Sequence, residues 1–89
     1  MSTGTTLGRV SFLDSPNGQR LFRVNAGAPI ADALETVSLL QYYANQLTHE
    51  AAMSDGSERF SWPAFYLGQM AKALLDDVSD SMFAARAEP

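Results

Sequence analysis

The 89-residue chain has no cysteine, which excludes a disulfide framework, a thiolate metal site and thiol catalysis. It has a single histidine, His49, so a nucleophilic triad would have to be built around that one side chain. No uninterrupted apolar run approaches the ~20 residues that a membrane-spanning helix needs. Residues 1–6 lack the basic and apolar regions of a signal peptide. The expectation is a cytoplasmic protein without membrane association. Positive charge is also scarce: six Lys and Arg stand against ten Asp and Glu, for a net charge of −4 and a pI of about 4.6. Phosphate backbones repel such a chain, which disfavours general nucleic-acid binding.

What is present is a pair of apolar stripes at helical spacing. Ile30, Ala33, Leu34, Val37, Leu40, Ala44, Leu47 and Ala51 form the first, and Leu67, Met70, Ala71, Leu74, Val78 and Met82 the second. Steps of three and four residues place each set on one side of a helix. The polar break Ser54-Asp55-Gly56-Ser57 between them predicts an antiparallel helical hairpin. The first helix should open near Pro29 and run to about Met53. The second should start with Ser61 as N-cap, Pro63 in its first turn and Phe60 stapled against Phe65. It should fray after Phe83.

Ahead of the helices, Arg9-Val10-Ser11-Phe12-Leu13 and Arg20-Leu21-Phe22-Arg23-Val24 alternate like strands, with Val10 and Phe12 matching Phe22 and Val24. Between them, Asp14-Ser15-Pro16-Asn17-Gly18 suits a type I turn followed by a left-handed glycine. A hydrophobic fraction of 46% and a length fit for one domain complete the outline. The fold class expected is mostly α, a small α+β domain: residues 1–8 a flexible N-terminus, 9–83 the domain, 84–89 a flexible tail.

Little in the chain points to chemistry. Asp76-Asp77-x-x-Asp80 has the look of a diphosphate-binding magnesium motif, but no second acidic cluster accompanies it, and Lys72 four residues ahead predicts an ordinary surface ion pair with Asp76. The three aspartates are therefore read as a solvated face, with no metal and no cofactor. His49, near a helix C-terminus, favours the helix dipole, and no serine stands in a nucleophile-elbow pattern. No enzyme is expected.

Tyr42, Tyr43, Trp62, Phe65 and Tyr66 form an aromatic set of the kind that fills a core or an interface, where one end of such a side chain is apolar and the other can hydrogen-bond. The leading expectation is a non-enzymatic protein–protein interaction module, an adaptor or regulator with an unidentified protein partner. The alternative is a DNA-associated regulator using Arg9, Arg20 and Arg23, since up to Asn25 these three face only Asp14, whereas beyond it Arg59, Lys72 and Arg86 face nine acids. The breadth of the first helix's apolar surface predicts a homodimer, a four-helix bundle with Leu34, Val37, Leu40, Leu47, Leu67, Met70 and Leu74 in its central layers.

Over residues 21–78 the chain resembles a family of short bacterial helical proteins, mainly from pseudomonads, that constitutes a domain of unknown function. The resemblance rests on Leu21-Phe22-x-Val24-x-x-Gly27, Pro29 and Ala33-Leu34-Glu35-x-x-Ser38-x-Leu40, then Trp62, Tyr66-Leu67 and Met70-Ala71-Lys72-Ala73-Leu74. It implies the helical fold and no particular activity. The segment from Val10 to Arg20 looks like an addition to that family's pattern.

Overall fold

The computed structural model of the chain describes residues 4–87. Two short strands, β1 (Ser11–Phe12) and β2 (Phe22–Arg23), precede two long helices, α1 (Ile30–Ala52) and α2 (Glu58–Ala87). The strands pair antiparallel, Ser11 opposite Arg23 and Phe12 opposite Phe22. The turn between them sets this register. Gly18 N–H donates to the Ser15 carbonyl at 2.8 Å and Ser15 N–H to the Gln19 carbonyl at 2.9 Å, with Gly18 at φ +85°. Pro16 and Asn17 thus occupy the centre of a type I turn and Gly18 the bulge position, the three-residue hairpin loop that the sequence predicts.

The register does not stop at the strands. Val24 N–H reaches the Val10 carbonyl, Thr6 N–H the Ala28 carbonyl and Gly27 N–H the Thr6 carbonyl, each at 2.9 Å, and Thr5 faces Pro29 in an antiparallel bridge. Residues 4–15 therefore run back along residues 19–30 as one long, interrupted ribbon. The Thr6 hydroxyl fastens the break, donating to the Asn25 carbonyl at 2.6 Å and accepting from Ala28 N–H at 3.0 Å. Thr6 is buried. The opening residues expected to be mobile are, from Gly4 onward, part of this ribbon; residues 1–3 lie outside the described residues. Ile30 N–H, one of the unpaired donors at the start of α1, is taken by the Gly4 carbonyl at 3.3 Å.

The helices lie antiparallel and meet through small side chains. Ala33 and Ala44 of α1 are buried, as are Ala71, Ala73 and Val78 of α2, with Val24 of the ribbon completing the buried apolar set. Small contact residues let helix backbones approach closely. α2 starts earlier than Ser61 predicts: the Ser57 carbonyl accepts from Phe60 N–H at 3.0 Å and Ser61 N–H at 2.8 Å, so Pro63 falls inside the helix and leaves the Arg59 carbonyl without its N–H partner. Phe60 lies under the Arg59 guanidinium, 5.2 Å from its carbon to the ring centre, while Phe65 pairs with Trp62 and Tyr66; the expected staple does not form. At the other end α2 continues to Ala87. Ala84, Ala85 and Arg86 are strong helix formers, and Arg86 suits the negative helix end, so residues 84–87 extend the helix where a tail was expected. Residues 88 and 89 lie outside the described residues.

Gly8 is the tightest point of the ribbon. Its φ is +77°, and a Cβ there would stand 2.8 Å from the Ala26 Cβ and 3.0 Å from the Ala26 nitrogen. Gly18 has a similar φ but open space around it. In urea titrations Gly18→Ala should lose about the 1–2 kcal/mol that a left-handed residue costs, and Gly8→Ala clearly more. Equal losses would show that the ribbon does not close on itself at Ala26.

Candidate functional site

The five aromatic residues that the sequence singles out are all exposed. The structure sorts them into two groups. On α2, Trp62 and Phe65 stand edge to face with centroids 6.0 Å apart, Phe65 and Tyr66 at 5.9 Å, and Trp62 and Tyr66 tilted at 6.1 Å. Their spacing of three and four residues puts them on one side of the helix. On α1, Tyr42 and Tyr43 meet edge to face at 5.1 Å. No ring of one group pairs with a ring of the other among the described residues.

The α2 group has a continuation that the sequence alone does not reveal. Tyr66 and Met70 line an open groove with Leu13, Asp14 and Phe22 of the hairpin. Phe22, expected to be buried like Val24, is 52% exposed; it stacks on Phe12 at 5.5 Å, nearly parallel. α2 covers this stretch of the ribbon only in part, so the Phe22 ring is shared among the Phe12 stack, the groove with Tyr66 and Met70, and solvent. Trp62, Phe65, Tyr66 and Phe22 thus flank one apolar surface, with Asp14 lining its groove and exposed charges of both signs, Arg23, Glu58 and Arg59, close by in the chain. Alternation placed Phe22 beside Val24, but no local signal said where the covering layer would end.

The acidic motif is the second correction. Lys72 and Asp76 form the expected exposed ion pair at 2.6 Å, and Asp80 is exposed. Asp77 is not solvated: it is fully buried at 0% exposure. Leu7 and Gly8 N–H groups donate to its Oδ2 at 2.6 and 3.2 Å, and Arg9 and Val10 N–H groups to its Oδ1 at 2.8 and 3.1 Å. One turn on, the buried Ser81 hydroxyl donates to the Thr5 carbonyl at 2.6 Å. Burial alone would raise the Asp77 pKa, but the N–H groups of Arg9, Leu7, Gly8 and Val10 outweigh it, and the carboxyl titrates below its ordinary value. Four successive N–H groups on one carboxylate make the concave anion cradle seen around phosphates, here filled by the chain's own side chain. The signal in the sequence is the stripe Ala73, Asp77, Ser81, small residues flanking an aspartate at helical spacing, which marks a face that another backbone approaches closely.

Of the seven residues expected in a dimer core, Val37, Leu40, Leu47, Leu67, Met70 and Leu74 are half-buried within the chain, and only Leu34 is exposed. Arg9, Arg20 and Arg23 are exposed. Arg9 and Arg23 flank the ribbon on opposite strands, and Arg20 follows the turn. His49 lines a shallow α1 groove with Tyr42, Asn45 and Gln46. Among the described residues no three His, Asp or Glu side chains converge as a metal site, and no helix is long and apolar enough to cross a membrane.

Residues 6–81 match the family described as Protein of unknown function (DUF3077), and the chain belongs to that family. The match begins ahead of the hairpin and spans the segment from Val10 to Arg20. No curated protein and no solved structure matches the chain.

Asp77→Asn replaces an acceptor oxygen by an NH2 group facing two N–H donors, and should cost on the order of 3 kcal/mol or more in chemical denaturation. The pH dependence has a fixed sign. A depressed carboxyl stabilises fully above its unfolded-state pKa and loses that contribution as pH falls through its folded value. The lead of the native chain over Asp77→Asn in thermal melting should therefore be constant near neutrality and shrink below about pH 4. A lead independent of pH would mean that Asp77 is not held as a carboxylate.

Proposed function

We propose that this member of the DUF3077 family is a non-enzymatic protein–protein interaction module of the cytoplasm, an adaptor or regulator that engages another protein through the aromatic surface of Trp62, Phe65, Tyr66 and Phe22. The observation that carries this reading is the mutual packing of Trp62, Phe65 and Tyr66 at 5.9–6.1 Å while each stays about half exposed. Rings that brace one another are ordered before binding, so little rotamer entropy remains to be lost when a partner arrives. Trp and Tyr in such a setting are the residues that dominate interface energetics. Asp14 lines the groove with Phe22 and Tyr66, and exposed Glu58 and Arg59 stand one turn ahead of Trp62. A partner with an apolar centre and a mixed polar rim suits such a surface. Tyr42 and Tyr43, on α1, are a second patch that the same partner would reach only by spanning both helices.

The DNA-associated reading is weaker. Its support is the exposure of Arg9, Arg20 and Arg23, set against an acidic body that a phosphate backbone would repel.

Affinity capture of the tagged chain from lysate of its source cells, read by mass spectrometry, tests the proposal. One protein should be enriched by the native chain, and Trp62→Ala should weaken its binding by about thirtyfold or more, the effect of a hot-spot residue, with helical content unchanged by circular dichroism. Tyr43→Ala gives the corresponding test for the α1 patch. Capture that survives Trp62→Ala removes this surface, and duplex DNA retained at low salt and shed steeply as salt rises would put the arginine reading in its place.

A further inference from the structure

At the end of the molecule opposite the aromatic surface, α2 outruns α1. Seven more residues at about 1.5 Å each leave roughly 10 Å of α2 without a helical neighbour. Two open grooves of about 360 and 590 Å³ lie there, sharing Leu34, Met82 and Arg86. Their apolar walls include Ile30, Leu75 and Phe83. Met82 is 54% and Phe83 73% exposed, with Leu34 and Leu75 each more than two-fifths exposed.

The whole-molecule dimensions say how much covering is missing. The Cα extents are 55 × 31 × 17 Å, an elongated shape that leaves much of each helix facing solvent. Its accessible surface is 6553 Å², where a compact monomer of 9.6 kDa exposes about 5,100 Å². The excess of roughly 1,400 Å² is larger than the ~800 Å² that each partner contributes to a stable interface. Domains bury apolar faces by stacking layers, and the ribbon layered on α2 leaves Leu34, Leu75, Met82 and Phe83 uncovered.

The geometry points to a second copy of this chain as the missing layer, docked across the Leu34–Leu75–Met82–Phe83 face. The charges around that face complement themselves. Arg86 lines both grooves, and exposed Glu35 follows Leu34 in the first turns of α1; neither forms an ion pair within the chain among the described residues. A two-fold axis brings each Arg86 to the partner's acidic helix start and seats Met82 and Phe83 of each copy against Leu34 and Leu75 of the other, the reciprocal contact that an isologous interface requires. The seam differs from a bundle built on Val37, Leu40, Leu47, Leu67, Met70 and Leu74, which are half-buried already. It is also distinct from the aromatic surface, which remains free on both copies.

Light scattering coupled to size exclusion on the full chain tests this assembly. The native chain and Trp62→Ala should run at the mass of two chains, and Met82→Glu and Phe83→Glu at the mass of one, all with native helical content. Phe83, the most exposed of the four, can change without disturbing the packing of a single copy, so Phe83→Glu is the deciding variant if Met82→Glu loses helicity. A native chain at the mass of one copy, a dimer that withstands Phe83→Glu, or a dimer lost in Trp62→Ala overturns the proposal. None of these outcomes depends on whether a partner is captured at Trp62.

Discussion

The N-terminal ribbon is held to the helices above all by one carboxylate. Asp77 draws the N–H groups of Leu7, Gly8, Arg9 and Val10 onto itself, and those residues are where the ribbon breaks its own ladder. A buried backbone with unpaired donors costs free energy comparable to a lost hydrogen bond at each. The break is tolerable only because a full negative charge satisfies all four donors together, while they in turn replace the water that the charge gave up. Ser81, bonded to Thr5 one turn further on, extends the attachment. Remove the charge, and the ribbon keeps Val24, its own pairing and the single bonds of Ser81 to Thr5 and Ile30 to Gly4.

This dependence on a polar clasp follows from the poverty of the apolar core. Ala33, Ala44, Ala71, Ala73, Val24 and Val78 are its buried members, and alanines contribute little area apiece. They bring the helices close, but they cannot bury the larger side chains that flank them. Leu34, Leu75, Met82 and Phe83 at one end and Trp62, Phe65 and Tyr66 at the other are left in solvent for the same reason. The small core and the large apolar surface are two sides of one choice of contact residues, and the surface is what the molecule has to offer a partner.

The parts of the fold that were legible in the sequence are those set by local rules. Ser15-Pro16-Asn17-Gly18 specified its turn, and through the turn the register that puts Phe12 beside Phe22. The three- and four-residue steps from Ile30 to Ala51 and from Leu67 to Met82 specified both helices. The errors arose where a distant segment decides the outcome. Asp77 sits between half-buried Asp76 and exposed Asp80 and differs from them in what packs on it from 70 residues away. Residues 4–8 have the composition of a loose terminus and acquire order from Ala28, Pro29 and α2. Of the aromatic site, the α2 group and its exposure were legible, because Trp62, Phe65 and Tyr66 share a helix face; Phe22 joined it through tertiary contact alone.

The Asp77 clasp also bears on the order in which the chain can fold. Its bonds join residues 67 to 70 positions apart, and the Ser81 bond spans 76, nearly the whole length, whereas the hairpin turn and the α1–α2 connection are short-range. Contacts between distant segments carry the larger loop-closure cost and form after local ones. During synthesis the arm leaves the ribosome before α2 and must wait, with its N–H groups on water, until α2 has been made. A segment translated ahead of its clasp thus reaches its native place after it.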